Sequence, residues 1–246
     1  MKTRAEIEQL RESGRMVAKV LEKLAQEIRP GVSTKYLDDI AFKEISSLGA
    51  KPAFLGYRGF PATACISLNE ELVHGIPRPD RLIREGDIIT VDLGVVQNGF
   101  YGDMAATFGV GNISPEAHRL LEVTRHSLDL AIEQVKPGKR LGDVGYAVQK
   151  YAEESGYSVV RDYVGHGIGR KLHEEPAVPN FGRPNTGLRL VPGMVFAIEP
   201  MINAGDYRVK TLSDEWTVVT VDKKLCAHFE HMVAVTENGH EVLTAL

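Results

Sequence analysis

Two aspartates in this chain sit in apolar surroundings at a spacing that chemistry can use. Ile88-Ile-Thr-Val-Asp92-Leu-Gly-Val-Val-Gln-Asn98-Gly99-Phe-Tyr-Gly-Asp103-Met-Ala-Ala-Thr-Phe108 is a pair of apolar runs around an Asn-Gly turn signal. A hairpin centred on Asn98-Gly99 sets Gly94 opposite Asp103 and Asp92 opposite Ala105. Side chains alternate along a strand, so Asp92 shares a face with Gly94 and therefore with Asp103. The carboxylates become diagonal neighbours, roughly 7–8 Å apart at their carbons. Among Ile, Val, Leu and Phe such a pair repels unless it is protonated or holds a cation. Asp beside a turn also commonly bonds to nearby backbone, so the hairpin alone leaves metal and solvated turn both open.

Further residues of the same chemical type follow. Glu199 precedes Pro200, and Glu230 lies in the apolar run from Leu225 to Thr236. Tyr163-Val-Gly165-His166-Gly167-Ile-Gly169-Arg-Lys-Leu-His173 fences one His with glycines, which let backbone approach closely, and brings a second seven residues later. Four carboxylates and one His are oxygen-rich enough for a pair of divalent ions, since one ion is too few for so many anions. Other chemistries are poorly represented. The H-E-x-x-H helix motif is absent, the glycines do not form G-x-G-x-x-G at a helix start, and there is no G-x-S-x-G elbow. His228 and His231 flank Glu230 and are candidates for supporting contacts to it. Met194 and Met201 read as core fillers, and His118, His126 and His240 as solvated or packed.

The elements that must position these groups are legible as a repeat. Apolar residues at helical spacing run from Ala5 to about Ile28 and stop at Pro30-Gly31; Ser33-Thr34 opens a second helix that ends near Leu48-Gly49. Ser114-Pro115-Glu116 opens a third, stopped by Pro137-Gly138, and a fourth runs from about Leu141 to Gly156. At a constant offset of 107, Gly31, Gly49, Gly75 and Gly86 meet Gly138, Gly156, Gly182 and Gly193, and Asp92 meets Glu199. An internal duplication follows, with halves of about 1–110 and 111–246 forming a single catalytic domain. In each half helices precede strands, the order of an α+β architecture. Glu215 to Val221 reads as one strand, Leu225 to Thr236 as another, and Asn238-Gly239 as the turn after it.

A chain of 246 residues has ample core, and 43% hydrophobic with 25% charged residues is ordinary globular composition. Net charge of −4 gives no basic footprint for a nucleic-acid backbone. The start lacks the apolar core of a signal peptide and no long apolar run appears, so neither secretion nor membrane insertion is expected. Two cysteines, Cys65 and Cys226, cannot build a disulfide framework.

The order Asp92, Asp103, His166, Glu199, Glu230, with His74 in Asn69-Glu-Glu-Leu-Val-His74-Gly-Ile-Pro77 and His173 after Gly-His-Gly-Ile-Gly, closely resembles the type I, bacterial-style methionine aminopeptidases of the M24 metallopeptidases. The resemblance runs nearly end to end. It implies the duplicated pita-bread fold with pseudo-twofold symmetry. It also implies removal of the initiator Met from nascent proteins when the second residue is small, by metal-activated water attacking the scissile carbonyl. Asp103 and Glu230 would bridge two divalent ions, Asp92 would complete one, and His166 with Glu199 the other. The metal would be Mn, Fe, Co or Zn, set largely by availability. His74, His173 and Glu199 would be catalytic, with His74 and His173 touching the substrate. Tyr57, Phe60, Cys65 and Trp216 resemble the wall of the methionine pocket, and Leu172 stands where some relatives have Phe. Glu199 and Glu230 are 31 positions apart, too close for the helical insert of the type II enzymes. Partners would be nascent polypeptide N-termini, a ribosome-facing role would suit the activity, and a cytoplasmic monomer is expected. Two rivals share the fold: a proline-specific peptidase, and a binding protein with dead ligand positions. The second is disfavoured because all five positions hold ligand residues.

Overall fold

The computed structural model describes residues 1–245. Four helices begin where side chains satisfy their first N–H groups. The Thr3 hydroxyl accepts from the Glu6 N–H while the Glu6 carboxylate accepts from the Thr3 N–H, a reciprocal cap on α1 (Arg4–Glu27). Ser33 caps α2 (Thr34–Ser47) by accepting from Tyr36 N–H, and Ser114 caps α3 (Pro115–Glu133), with Pro at the first helical position where a missing N–H is harmless. In α4 (Leu141–Glu154) the Asp143 carboxylate accepts from Arg140 N–H at 2.8 Å and from Asn185 N–H at 2.7 Å. None of these helices is long and apolar enough to cross a membrane.

Every strand pairing is antiparallel among the described residues. The strand Ile88–Gln97 lies between Ala64–Leu68 and its hairpin partner Phe100–Gly109, with Lys51–Pro52 beside its far end. The hairpin turns on Asn98-Gly99 in the expected register, Gly94 opposite Asp103 and Asp92 opposite Ala105. A second sheet runs Gly239–Val242, His231–Thr236, Val195–Ile198, Gly165–Gly167, Glu174–Val178. Two three-stranded sheets complete the set, one centred on Met201–Asn203 and one on Val218–Thr220. One apolar core joins them, with Val17, Leu21 and Leu24 of α1, Leu37 and Ile45 of α2, Leu120 and Leu128 of α3, and Val144 and Val148 of α4 packed on Val91, Leu93, Phe196 and Ile202.

The structure modifies the expected strands at three places. Leu225 to Thr236 is not continuous: Cys226–His228 pairs with Met201–Asn203, then His231–Thr236 pairs with Val195–Ile198. Both ladders break at one level, between Ile198 and Met201 on one side and His228 and His231 on the other. Pro200 has no N–H to give, and Glu230 N–H instead donates to Ala105 C=O at 2.9 Å on the neighbouring hairpin. Trp216 lies outside its expected strand, which is limited to Val218–Thr220. The Asp214 carboxylate captures the N–H groups of Trp216 at 3.0 Å and Thr217 at 2.8 Å, a local alternative to the ladder. The last hairpin turns on Glu237-Asn238, because Gly239 is paired with Thr236. Burial of Val233 and Val235 sets that register over the local Asn-Gly preference.

Two glycines let α1 lie directly on the sheets. A Cβ at Gly102 would stand 2.4 Å from Ser13 O, and one at Gly14 would stand 2.3 Å from Leu243 O. The helix therefore touches both the strand bearing Asp103 and the segment after the final hairpin. Of the four glycine pairs related by the offset of 107, three have positive φ in both members: Gly31 and Gly138, Gly49 and Gly156, Gly86 and Gly193.

Candidate metal centre

A cavity of ≈ 280 Å³ opens where these sheets meet, and Asp92, Asp103, His166, Glu199 and Glu230 all line it. The hairpin supplies the first two, the strand Gly165–Gly167 supplies His166, and the paired ladder breaks supply Glu199 and Glu230. One ligand atom from each of Asp103, His166 and Glu230 falls within 4.8 Å of the others, and all three residues are buried. His166 Nε2 is 3.7 Å from Asp103 Oδ2 and 3.5 Å from Glu199 Oε1.

The hydrogen bond of His166 sets the chemistry of this gap. Its Nδ1 lies 3.0 Å from Gly167 C=O, an oxygen that only accepts, so Nδ1 carries the hydrogen and Nε2 presents a lone pair. That lone pair faces two carboxylates, an arrangement that requires a cation or a proton between them. Asp92 Oδ1, Asp103 Oδ1 and Glu230 Oε1 are buried without any hydrogen-bond partner. Burial raises the Asp92 carboxyl to about 7. Burial, reinforced by neighbouring carboxylates, pushes Asp103, Glu199 and Glu230 well above the usual carboxylate range. Burial also lowers His166. Orphaned oxygens, a lone pair aimed at them and mutual repulsion fit a divalent cation bound by hard oxygen and imidazole donors.

Around the carboxylates the walls are apolar and aromatic. Phe60 and Trp216 meet edge to face at 5.1 Å between ring centroids, and Trp216 also lies 6.2 Å from His74. Cys65 is directly opposite Asp92 in the sheet and fully enclosed, with burial raising its thiol far above a reactive range. The Asp38 carboxylate of α2 holds that strand by accepting from Thr63 N–H at 2.8 Å and Ala64 N–H at 3.0 Å. His173 stacks 4.2 Å from His166, and its Nδ1 is 2.8 Å from the Tyr57 hydroxyl. Burial, then the neighbouring His166 and Arg58, lower His173 to about 4, so a neutral ring faces the cavity.

The candidate substrate-contacting residues His74, His173, Tyr57, Phe60, Cys65 and Trp216 line this same cavity, whereas His231, the other neighbour of Glu230, does not and has its Nδ1 2.7 Å from the Thr244 hydroxyl. The cavity also takes in Phe54, Tyr163, Leu172, Met201 and His228. Met201 is therefore a wall residue and not merely filler. Its signal was available: it lies two residues after Glu199, as His228 lies two before Glu230, and alternation puts such pairs on one face. Phe54 and Tyr163 stand in loops and carry no periodic signal.

A model of metallopeptidase family M24 matches residues 8–237. Methionine aminopeptidase 1 of Bacillus subtilis is 55% identical over 243 residues, covering 99% of this chain and 98% of its own. The methionine aminopeptidase of Escherichia coli is 46% identical over 245 residues, with 99% and 93% covered. Among solved structures, methionine aminopeptidase from Thermotoga maritima superposes with a TM-score of 0.98 at 47% identity, covering 100% of this chain and 98% of that one. Prolidase from Pyrococcus furiosus gives 0.82 at 25% identity, covering 100% of this chain and 65% of that one.

Proposed function

This chain belongs to metallopeptidase family M24 and has its pita-bread fold, and on that premise we propose that its buried carboxylate centre removes the N-terminal Met of nascent proteins whose second residue is small. It is a metal-dependent aminopeptidase. The observation that carries this reading is the unpartnered set of Asp92, Asp103 and Glu230 oxygens facing the His166 lone pair in a cavity of ≈ 280 Å³ that is walled in part by aromatic side chains. We read the chain as one catalytic domain of two related halves, supported by the shared positive φ of glycines 107 positions apart.

Two divalent ions would be held by Asp92, Asp103, His166, Glu199 and Glu230. When bound, such ions supply Lewis acidity and water that is acidic near neutral pH. The chain's own residues do the rest. Tyr57, Phe60, Cys65 and Trp216 enclose an unbranched, polarizable side chain, for which aromatic and sulfur contacts are favourable. His173, whose Nδ1 meets the Tyr57 hydroxyl, presents Nε2 to the scissile carbonyl; with Tyr57 donating, that nitrogen bears the hydrogen needed to stabilise developing negative charge. His74, held between Tyr163 and Trp216, orients the peptide beyond the bond to be cut. Glu199, between His166 and His228 on the cavity wall, would hold an ion together with His166 beside the bond to be cut. Nascent N-termini as substrates would suit an activity in the cytosol close to the ribosome.

The test is a mass-spectrometric time course on Met-Ala, Met-Lys, Ala-Pro and N-formyl-Met-Ala peptides at matched concentration, before and after chelation and readdition of Mn, Fe, Co or Zn. Release of Met from Met-Ala alone is expected, because a blocked amine cannot be recognised and a bulky second residue collides near His74. Faster cutting of Ala-Pro would move the chain to the proline-specific activity.

A further inference from the structure

His228 lines the wall of the proposed centre beside Glu199 and Glu230. His228 is 1% exposed, and neither of its ring nitrogens has a hydrogen-bond partner. An imidazole left unpartnered inside a protein costs on the order of 1–3 kcal/mol, so the ring's placement calls for a partner. Its backbone is held on both sides by one hydroxyl: Thr107 Oγ1 accepts from His228 N–H at 2.9 Å and donates to His228 C=O at 2.8 Å. Thr90 Oγ1 lies 2.8 Å from Thr107 Oγ1, tying this clasp to the centre of the hairpin. The backbone at His228 is thus fixed, and its ring points at Glu199, with Nε2 3.7 Å from Oε2.

Glu199 thus stands between two imidazoles that ask different things of it. Oε1 faces His166 Nε2 at 3.5 Å, and that nitrogen carries a lone pair, so Oε1 is the oxygen turned toward a cation. Oε2 faces His228, and no other basic side chain of the described residues comes within 4 Å of this carboxylate. Carboxylates that bind metals are oriented by hydrogen bonds to their remaining lone pairs.

We infer that His228 is a positioning residue, donating Nε2–H to Glu199 Oε2 and thereby turning Glu199 Oε1 to the ion it shares with His166. The inference rests on the proposal that Glu199 is a metal ligand. It assigns His228 no contact with the substrate.

Three substitutions separate this from packing. His228→Gln puts an amide NH2 near the position of Nε2, His228→Asn puts one near Nδ1, and His228→Leu fills the volume without a donor. Each protein is stripped with chelator, then titrated with Co2+ alone while heat and the visible Co2+ absorption band are recorded. Leu and Asn should weaken one binding step by about 10–100-fold and alter the band, while Gln stays within about threefold of wild type. Thermal unfolding of the stripped proteins should agree within a few degrees, because the Thr107 clasp involves only the backbone of residue 228. Wild-type Co2+ affinity and spectrum in the Leu variant would overturn the inference. So would equal losses in Gln and Leu accompanied by a lower melting temperature of the stripped proteins, the signature of packing. A wild-type chain that binds no Co2+ would instead overturn the metal-centre proposal itself and this inference with it.

Discussion

Replacing Gly14 by Ala sets helix propensity against packing, and the two disagree in sign. Gly14 lies inside α1, where Ala is favoured over Gly by about 1 kcal/mol. Yet a Cβ there would sit 2.3 Å from Leu243 O and 2.8 Å from Leu243 C. Comfortable carbon contacts begin roughly 1 Å further out. The obstacle is backbone, and it cannot rotate away. Leu243 N–H is bonded to Met232 C=O at 2.8 Å, while Leu10 and Val17, buried on the same face of α1 as Gly14, hold that face against the core. Overpacking of this kind costs about 1–3 kcal/mol, and the rigid neighbour argues for the upper end. Subtracting the propensity gain leaves a net loss of about 2 kcal/mol. For a chain of 246 residues that is a fall in melting temperature of about 4–8 °C. Urea and thermal unfolding of both proteins, stripped of metal so that binding does not mask the difference, would measure it. An unchanged or raised midpoint would refute the claim that the α1 backbone rests on the C-terminal segment.

Asp103→Asn keeps the shape of a proposed metal ligand and removes its charge; turnover should fall by more than the ~100-fold typical of losing a supporting contact, and near-normal turnover with full metal content would remove Asp103 from the centre. His173→Ala should keep its metal by elemental analysis while kcat falls about 100–1,000-fold, the range for one donor to developing charge, and a missing ion would make His173 a ligand. Asp143→Asn should destabilise the protein by about 1 kcal/mol at pH 7. Burial pushes the Asp143 carboxyl up, but the N–H groups of Asn185 and Arg140 outweigh it and hold it below its ordinary value. Its stabilisation is therefore present above the unfolded value of about 3.9 and disappears as pH falls through the lower folded value. Unfolding midpoints of the two proteins should converge on acidification below about pH 4, and a constant gap down to pH 2 would count against the charge of Asp143.

Local chemistry made much of this architecture readable. Asn98-Gly99 sets a turn whose register places Asp92 and Asp103 on one face, and Pro-Gly pairs stop the helices within a few residues of where periodicity does. What escaped depends on partners far away in the chain. The break at Phe229-Glu230 exists because Glu230 N–H bonds to Ala105, more than a hundred residues earlier, and no pattern near Glu230 announces it. Trp216 left its strand through the side chain of Asp214, a competition that strand propensity does not represent. Phe54 and Tyr163 became walls only because the sheets bring their loops together around one space. His228 was visible as a neighbour of Glu230, but its aim at Glu199 required the ladder between Met201 and His228.

The paired ladder breaks also set when the centre comes into being. Glu199 and Glu230 face the cavity only once His231–Thr236 has joined Val195–Ile198 and Cys226–His228 has joined Met201–Asn203. Glu230 is then fastened to Ala105. That last contact closes a loop of more than a hundred residues, whose entropy must be paid before the contact rewards it. A chain still emerging during its own synthesis, with nothing yet extended past Glu230, carries the hairpin carboxylates but no finished centre. Under the proposed function, activity would await the last strands to be made, and a divalent ion held there would tie the early and late parts of the sequence together.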